Sequence, residues 1–313
     1  MNPKVSIIIA SYNTDKYIVE CVNSALGQDY ENIEVIVVND GSTDTTEELL
    51  FELARNNTKL KTLTQENQGQ SVARNNGLTL ATGEFVIFLD SDDKFYNSLI
   101  SKCISALNST KSDIIFFNGE SFYDNEGDPL TAGFAPKYIR NTSLCGKAMD
   151  SHTFFKKSWE LNNYTVSPCM FIARTQLVRD NPFYPGIVHE DNLFTTKILL
   201  SKKSTIACIN DILYKRRIRP DSVMTSKKSE RNAIGYLTVA KEMISLRSQT
   251  DNELNACLNS FISHCVSSSL NDAKACFERI PKELKKEYLE VIKDIGWMNI
   301  RKKTLAKFIL AYF

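Results

Sequence analysis

Between Lys4 and Leu89, short apolar runs rich in Val, Ile and Phe alternate with longer segments whose apolar residues recur at helical spacing. Lys4–Ala10, Glu34–Asn39, Lys59–Thr64 and Glu84–Leu89 read as strands, and Asp15–Leu26, Thr43–Arg55 and Gly69–Ala81 as the helices between them. A strand, a one-faced helix and a second strand in series close by a right-handed crossover, which makes neighbouring strands parallel and places helices over the sheet. Val35–Val38 and Phe85–Leu89 are apolar at every position, the pattern of central strands buried on both faces. The expected fold is therefore α/β, a doubly wound and mostly parallel sheet.

The rhythm breaks near residue 119. Gly119–Lys137 is loop-rich, Ser167–Arg179 and Ile206–Ile218 read as later strands or short helices, and from Ser229 the apolar spacing is helical. We expect an α/β half over residues 1–120, a less regular half of the same domain over 121–225, and a helical C-terminal region over 226–313. With 38 Lys and Arg against 37 Asp and Glu, the net charge of +1 removes the whole-chain basic field of a general nucleic-acid binder. No apolar run is long enough to span a membrane and the first residues lack a signal-peptide core, so a cytoplasmic protein is expected. The eight cysteines form no C-x-x-C and no zinc-spaced pair with histidine, and read as reduced, packed thiols.

In an open α/β sheet, ligands bind beyond the carboxyl ends of the strands. Those ends carry Ser11-Tyr12-Asn13, Asp40 and Asp90-Ser91-Asp92-Asp93. Three carboxylates within four residues repel one another unless a cation or donor groups neutralise them. Asp90 and Asp92, two apart on extended chain, point to one side, so one can hold a metal while the other bonds a ligand. Oxygen donors without nearby Cys or His favour Mg²⁺ or Mn²⁺ over zinc. The plainer alternatives are a turn capped by Asp90 with Asp92 and Asp93 in solvent, and an Asp40-Gly41 turn with Ser42 or Thr43 capping the next helix.

Val5–Asn13, Val37–Asp44, Asn67–Gly77 and Leu89–Asp93 stand in the order found in family 2 nucleotide-sugar glycosyltransferases, which this sequence resembles over its first 120 residues and more loosely beyond. The resemblance implies a glycosyltransferase A-type fold, an inverting mechanism and a UDP-sugar donor. It implies a nucleoside pocket of Ala10, Tyr12 and Asp40, with Asp40 accepting from the base and Tyr12 against the ring, and Arg74 as a further donor-site residue. Asp90-Ser91-Asp92 resembles the family's Asp-x-Asp motif, with Asp92 as the ligand of Mn²⁺ or Mg²⁺, Asp90 at the ribose or the metal, and Asp93 behind them or near the donor sugar.

An inverting transfer needs a base to take the proton of the acceptor hydroxyl. His189-Glu190-Asp191 resembles the family's acidic pair, with Asp191 aligned to the base; Glu190 as base and a helix-capping Asp191 are the alternatives. His189 reads as a structural or acceptor-contacting residue. Arg217, Arg219 and Ser222 lie in Tyr214–Met224, a segment that resembles one in transferases building bacterial surface polysaccharides, where its cations would meet a diphosphate or the phosphates of a polyprenyl-linked saccharide acceptor. A solvated basic strand edge is the alternative. Without the Gln-x-x-Arg-Trp motif or the membrane helices of processive relatives, one sugar per encounter is expected. Residues 297–313 interleave Arg301, Lys302, Lys303 and Lys307 with apolar residues, which suits a helix on the inner face of a membrane, a helix docked on its own domain, or a dimer contact. Two rival functions are a sugar-nucleotide nucleotidyltransferase, whose basic Gly-rich phosphate loop is missing after the first strand, and a non-catalytic carbohydrate-binding relative.

Overall fold

Residues 2–123, 136–219 and 228–312 are described by the structure, a computed structural model. The expected alternation is present as β1 (Val5–Ser11), α1 (Ile18–Leu26), β2 (Ile33–Asn39), α2 (Thr46–Arg55), β3 (Leu60–Thr64), α3 (Gln70–Leu80) and β4 (Phe85–Asp90). There follow β5 (Lys94–Phe95), α4 (Leu99–Thr110), β6 (Ile114–Tyr123), β7 (Lys137–Tyr138), β8 (Met149–Asp150), α5 (Ser151–Glu160), β9 (Phe171–Arg174), α6 (Thr175–Arg179), α7 (Glu190–Leu200) and β10 (Thr205–Ile218). The chain closes with α8 (Glu230–Ile244), α9 (Asn252–Cys276), α10 (Lys282–Ile295) and α11 (Lys302–Tyr312).

The strands form one sheet in the order β3-β2-β1-β4-β9-β6-β10-β5, with β7 on β6 and β8 on β10. β1 pairs in parallel with β2 and β4, β2 with β3, and β6 with β10; β9 runs antiparallel between β4 and β6. Every residue of β1 and β2 is buried, as their unbroken apolar character requires of strands covered on both faces. The doubly wound, mostly parallel sheet and the helical C-terminal region expected from the sequence are both present.

Two local expectations give way. Of the expected loop-rich stretch Gly119–Lys137, Gly119–Tyr123 is strand, because Gly119 serves packing and not a turn: a Cβ there would lie 3.0 Å from Tyr214 Cδ1 and 3.1 Å from Met170 Sδ, while residues 124–135 lie outside the described residues. Helix α2 begins at Thr46, past the capping positions read at Ser42 and Thr43. Those residues instead tie the ends of two strands together: Asn13 N–H donates to Ser42 Oγ (3.0 Å), and Thr43 N–H donates to Asn13 Oδ1 (2.8 Å).

One continuous core runs through all three expected segments, from the sheet to the last helices. Helix α9 presents Phe261 to Trp159 and Tyr164, with ring centroids 5.1 and 5.4 Å apart, so the C-terminal region is packed against α5 and the chain that follows it. Helix α11 lies on α9: Thr304 and Phe308 are buried, Thr304 Oγ1 donates to the Ser263 carbonyl (3.2 Å) and Lys307 to Ser267 Oγ (2.8 Å). The docked helix, one of the three readings of residues 297–313, describes these contacts, while Trp297, Met298, Ile309 and Leu310 remain exposed. Among the described residues no helix is long and apolar enough to cross a membrane.

Helix α3 reaches the sheet through Gly77, where a Cβ would lie 2.6 Å from Ile8 Cγ2 and 3.3 Å from Val38 Cγ2. Alanine is the better helix former by about 1 kcal/mol, but the contact with two fully buried strands dominates. Gly77→Ala is therefore expected to lower stability by about 1–3 kcal/mol, read as an earlier urea midpoint with unchanged slope; a later midpoint would show that the helix can lift off without cost.

Candidate active site

The strand order reverses between β1 and β4, and the candidate residues gather at the carboxyl ends there. Register sets Ala10 between Val38 of β2 and Asp90 of β4. Tyr12, just past β1, has its ring about half exposed, and Ser91 is buried.

Asp40 follows β2 and is buried. Its Oδ1 accepts from Gln65 Nε2 (2.7 Å) and Gln68 N–H (2.9 Å), and its Oδ2 from Gly69 N–H (2.8 Å). A carboxylate has about four acceptor positions, so most of this one is used in shaping the turn ahead of α3. Gly41 permits the approach: its φ is +72°, and a Cβ would lie 2.8 Å from the Asn67 amide nitrogen.

Arg74, on the buried face of α3, is the hub. Its Nη2 donates to Asp90 Oδ1 (2.7 Å) and its Nη1 to Glu190 Oε1 (3.0 Å), while its guanidinium lies 4.9 Å from the centre of the Phe183 ring. Burial works against the charge of Arg74, but the two carboxylates more than offset it and hold its pKa above the ordinary arginine value. Gln70 Nε2 adds a 3.2 Å bond to Asp90 Oδ1.

The other two carboxylates of the cluster face β10. Asp93 is buried, accepts from the Tyr214 hydroxyl and from Arg217 N–H (2.6 Å), and so fastens the acidic turn to that strand. Burial, then the charges of Asp90 and Asp92, push its carboxyl well above the usual range. Arg217 donates from Nε to the Asp92 carbonyl (2.8 Å) and pairs with Glu20; Arg219 Nε donates to Asp92 Oδ2 (2.7 Å). Both guanidinium groups lie near the Tyr17 ring, at 4.8 and 5.2 Å. The basic segment therefore abuts the acidic turn. Ser222 lies outside the described residues.

Helix α7 starts with Glu190 and Asp191. Asp191 Oδ1 accepts from Asn192 N–H (2.8 Å) and Asn192 Nδ2 (2.9 Å), and both bonds fall on that one oxygen. Burial, then the charge of Glu190, raise the Asp191 carboxyl to about 6, against the opposing pull of Asn192 and Arg74. His189 precedes the helix in a left-handed conformation, φ +67°, rare for a residue with a Cβ. Its ring stacks on Tyr236 of α8, centroids 3.7 Å apart, and its Nε2 is 3.4 Å from Asn232 Nδ2. Burial and the charge of Lys228 lower its pKa to about 4, which leaves the imidazole neutral near pH 7. A Cβ on Gly235 would collide with the Val188 carbonyl oxygen, so α8 seats directly under this turn.

The structure thus joins Asp90, Arg74 and Glu190 in one chain of ion pairs, with Asp191 next to Glu190, and joins Asp92 and Asp93 to Arg219 and Arg217. Among the described residues no cluster of three or more His, Cys, Asp or Glu has a metal-site arrangement. Asp90 and Asp92 nonetheless offer hard oxygen donors with side chains 33% and 21% exposed. Two such carboxylates suit a Mg²⁺- or Mn²⁺-type ion whose remaining ligands are waters and phosphate oxygens. Sequence reading did not single out Gln70, Tyr17, Asn192, Asn232 or Tyr236. Gln70 lies within the Asn67–Gly77 motif without a role of its own, and Tyr17, Asn192, Asn232 and Tyr236 occupy no pattern that distinguishes them from surface polar or helical core residues.

The family described as Glycosyl transferase family 2 matches residues 6–181, more than half of the chain. The protein belongs to that family. Glycosyltransferase GlyG of Streptococcus pneumoniae serotype 4 is 28% identical to the transferase over 232 residues, 72% of this chain and 75% of GlyG. Glycosyltransferase GlyA of the same organism is 31% identical over 228 residues, 71% of this chain but 32% of GlyA, so the chain spans about a third of that relative. Among solved structures, S. aureus TarS 1-349 in complex with UDP-GlcNAc superposes with a TM-score of 0.70 at 25% identity, covering 97% of this chain and 83% of TarS 1-349. The mannosyltransferase PcManGT from Pyrobaculum calidifontis, in complex with GDP-Man and Mn²⁺, shares the fold at 16% identity and a TM-score of 0.59, covering 100% of this chain and 86% of PcManGT.

Removing the hub of this transferase leaves two carboxylates without their counterion. Arg74→Met is expected to destabilise the protein by about 3–5 kcal/mol, measured by guanidinium denaturation. Arg74→Lys should recover only part of that loss, because one ammonium cannot present a planar fork to two carboxylates. Full recovery by lysine would show that charge alone matters.

Proposed function

We propose that this family 2 glycosyltransferase is an inverting, Mn²⁺- or Mg²⁺-dependent enzyme. In this reading it moves one hexose or N-acetylhexosamine from a UDP-sugar to a saccharide acceptor in bacterial surface-glycan assembly. The observation that carries the reading is Asp191: a carboxyl raised to about 6 at the start of α7, tied through its neighbour Glu190 and Arg74 to Asp90 in the acidic turn. A carboxylate with a pKa near neutrality takes a proton more effectively than an ordinary aspartate, yet is mostly ionised at pH 7. UDP-GlcNAc bound in the similarly folded TarS supports the choice of nucleotide.

In this arrangement Tyr12 offers its half-exposed ring to the nucleobase beside Ala10 and Asp40. Asp90 and Asp92 would hold the divalent cation, whose chemistry is to offset negative charge on the leaving diphosphate. Arg217 and Arg219, on the same side of the acidic turn, supply fixed positive charge for the donor diphosphate or for the phosphates of a lipid-linked acceptor. Asp191 accepts the proton of the acceptor hydroxyl through its uncommitted Oδ2, while Asn192 holds Oδ1 in place. In this reading neutral His189 would contact the acceptor as a hydrogen-bonding group.

Asp191 must be ionised to act as a base, so turnover is expected to rise through pH 6 and level off above it. Asp191→Asn is expected to lower turnover at least about 100-fold with donor affinity nearly unchanged. The same substitution should relieve a stability cost: a carboxyl whose pKa is raised on folding favours the native state only while protonated, and that contribution is lost as pH rises through 6. Asp191→Asn should therefore gain in Tm relative to wild type between pH 5 and pH 8. Full turnover in Asp191→Asn would move the base elsewhere.

The donor class is checked by calorimetric titration with UDP, GDP, CDP and dTDP, each with Mn²⁺ and with EDTA. Binding of UDP that needs the cation and weakens about tenfold or more in Asp92→Ala is expected. Affinity that ignores both the cation and Asp92 would remove the metal from the reading.

A further inference from the structure

Away from the acidic turn, Cys145 and Cys208 lie with their sulfurs 3.1 Å apart. They are separated by 63 positions in sequence. The segment after Cys145 enters β8, which runs antiparallel to the start of β10, with Met149 opposite Ile206 and Asp150 opposite Thr205. Gly146 N–H donates to the Cys208 carbonyl (3.0 Å), so the two cysteines occupy adjoining backbone held in place by strand pairing. Closing the sulfurs to a disulfide length of about 2.05 Å needs a shift of about 1 Å.

A second, independent feature sits beside the pair. Arg140 is fully buried, and among the described residues none of its three guanidinium nitrogens has a hydrogen-bond partner. Its guanidinium lies 4.4 Å from the centre of the Phe116 ring, and Phe116 is the strand neighbour of Cys208. A cation buried without an anion is strongly destabilised, so an anion formed nearby gains what this charge lacks. Cys145 is partly exposed in a loop whose neighbours Gly146 and Lys147 are open to solvent, whereas Cys208 is buried.

We propose that Cys145 and Cys208 form a dithiol oxidation site, with Cys145 as the peroxide-reactive thiolate, Cys208 as the resolving thiol and Arg140 as the buried counterion. The hydrogen bond from Cys208 brings the Cys145 thiol down to about 7; burial opposes this and the charge of Arg140 assists it. A thiolate beside a cation and open to solvent is the reactive form of cysteine. With hydrogen peroxide as oxidant, the Cys145 sulfur attacks one oxygen, an S–O bond forms, the O–O bond breaks and hydroxide leaves to become water. The Cys208 sulfur then attacks the Cys145 sulfur; the S–S bond forms, the S–O bond breaks, and the departing hydroxide leaves as water with the Cys208 proton. Two thiols lose two electrons and one peroxide becomes two waters.

The site is independent of the glycosyl-transfer reading, and so is its test. The full chain is treated with stoichiometric hydrogen peroxide, its remaining thiols are counted after denaturation, and its peptides are mapped. The count is expected to fall from eight to six, with one linked peptide joining Cys145 to Cys208. Before oxidation, iodoacetamide should modify Cys145 faster than Cys257 and Cys276, which are also partly exposed, with a rate midpoint near pH 7. Arg140→Met should slow that modification several-fold. If that variant does not fold, Cys208→Ser supplies the check, because Cys145 then stops at the sulfenic acid and is trapped by dimedone. Eight thiols surviving peroxide, a bridge elsewhere, or Cys145 reacting no faster than Cys257 and Cys276 would overturn the proposal.

Discussion

The buried guanidinium of Arg74 is the constraint on which the site depends. It is brought to the sheet by α3, and it can stay charged there only because Asp90 comes from the end of β4 and Glu190 from the start of α7. Burying a charge costs several kcal/mol, and geometry with both partners present offsets that cost. The three elements therefore hold one another in register. The position of Asp191, one residue beyond Glu190, follows from the same ion pairs.

A second set of contacts explains why the C-terminal helices belong to the site. His189 adopts a backbone conformation that a residue with a Cβ avoids, and α8 stabilises it through Tyr236, Asn232 and the close approach at Gly235. That strained turn aims the first residues of α7. The helical C-terminal region is in physical terms the floor beneath the candidate base.

The acidic turn was legible from the sequence because a buried strand ending in three aspartates leaves few harmless explanations. What each aspartate does was less legible. Asp93 resembles its neighbours in sequence, yet it is buried and bound by Tyr214 and Arg217, so it fastens the turn to β10. Asp40 spends three hydrogen bonds on the loop before α3, which the notion of a base-contacting residue did not anticipate. Gly119 was read as a loop glycine and is a packing glycine. In each case the deciding partner comes from a distant part of the chain.

Periodicity and strand-end chemistry, both local properties, determined the α/β alternation, the parallel sheet and the location of a carboxylate-lined site at the strand ends. They did so because side-chain period and apolar run length report burial directly. Tertiary structure alone decided which groups meet: Arg74 spanning Asp90 and Glu190, Arg219 on Asp92, Cys145 against Cys208 beside the buried Arg140. Electrostatic and thiol chemistry depend on separations of a few ångströms and on exclusion of water, and neither quantity is encoded at any single position of the sequence.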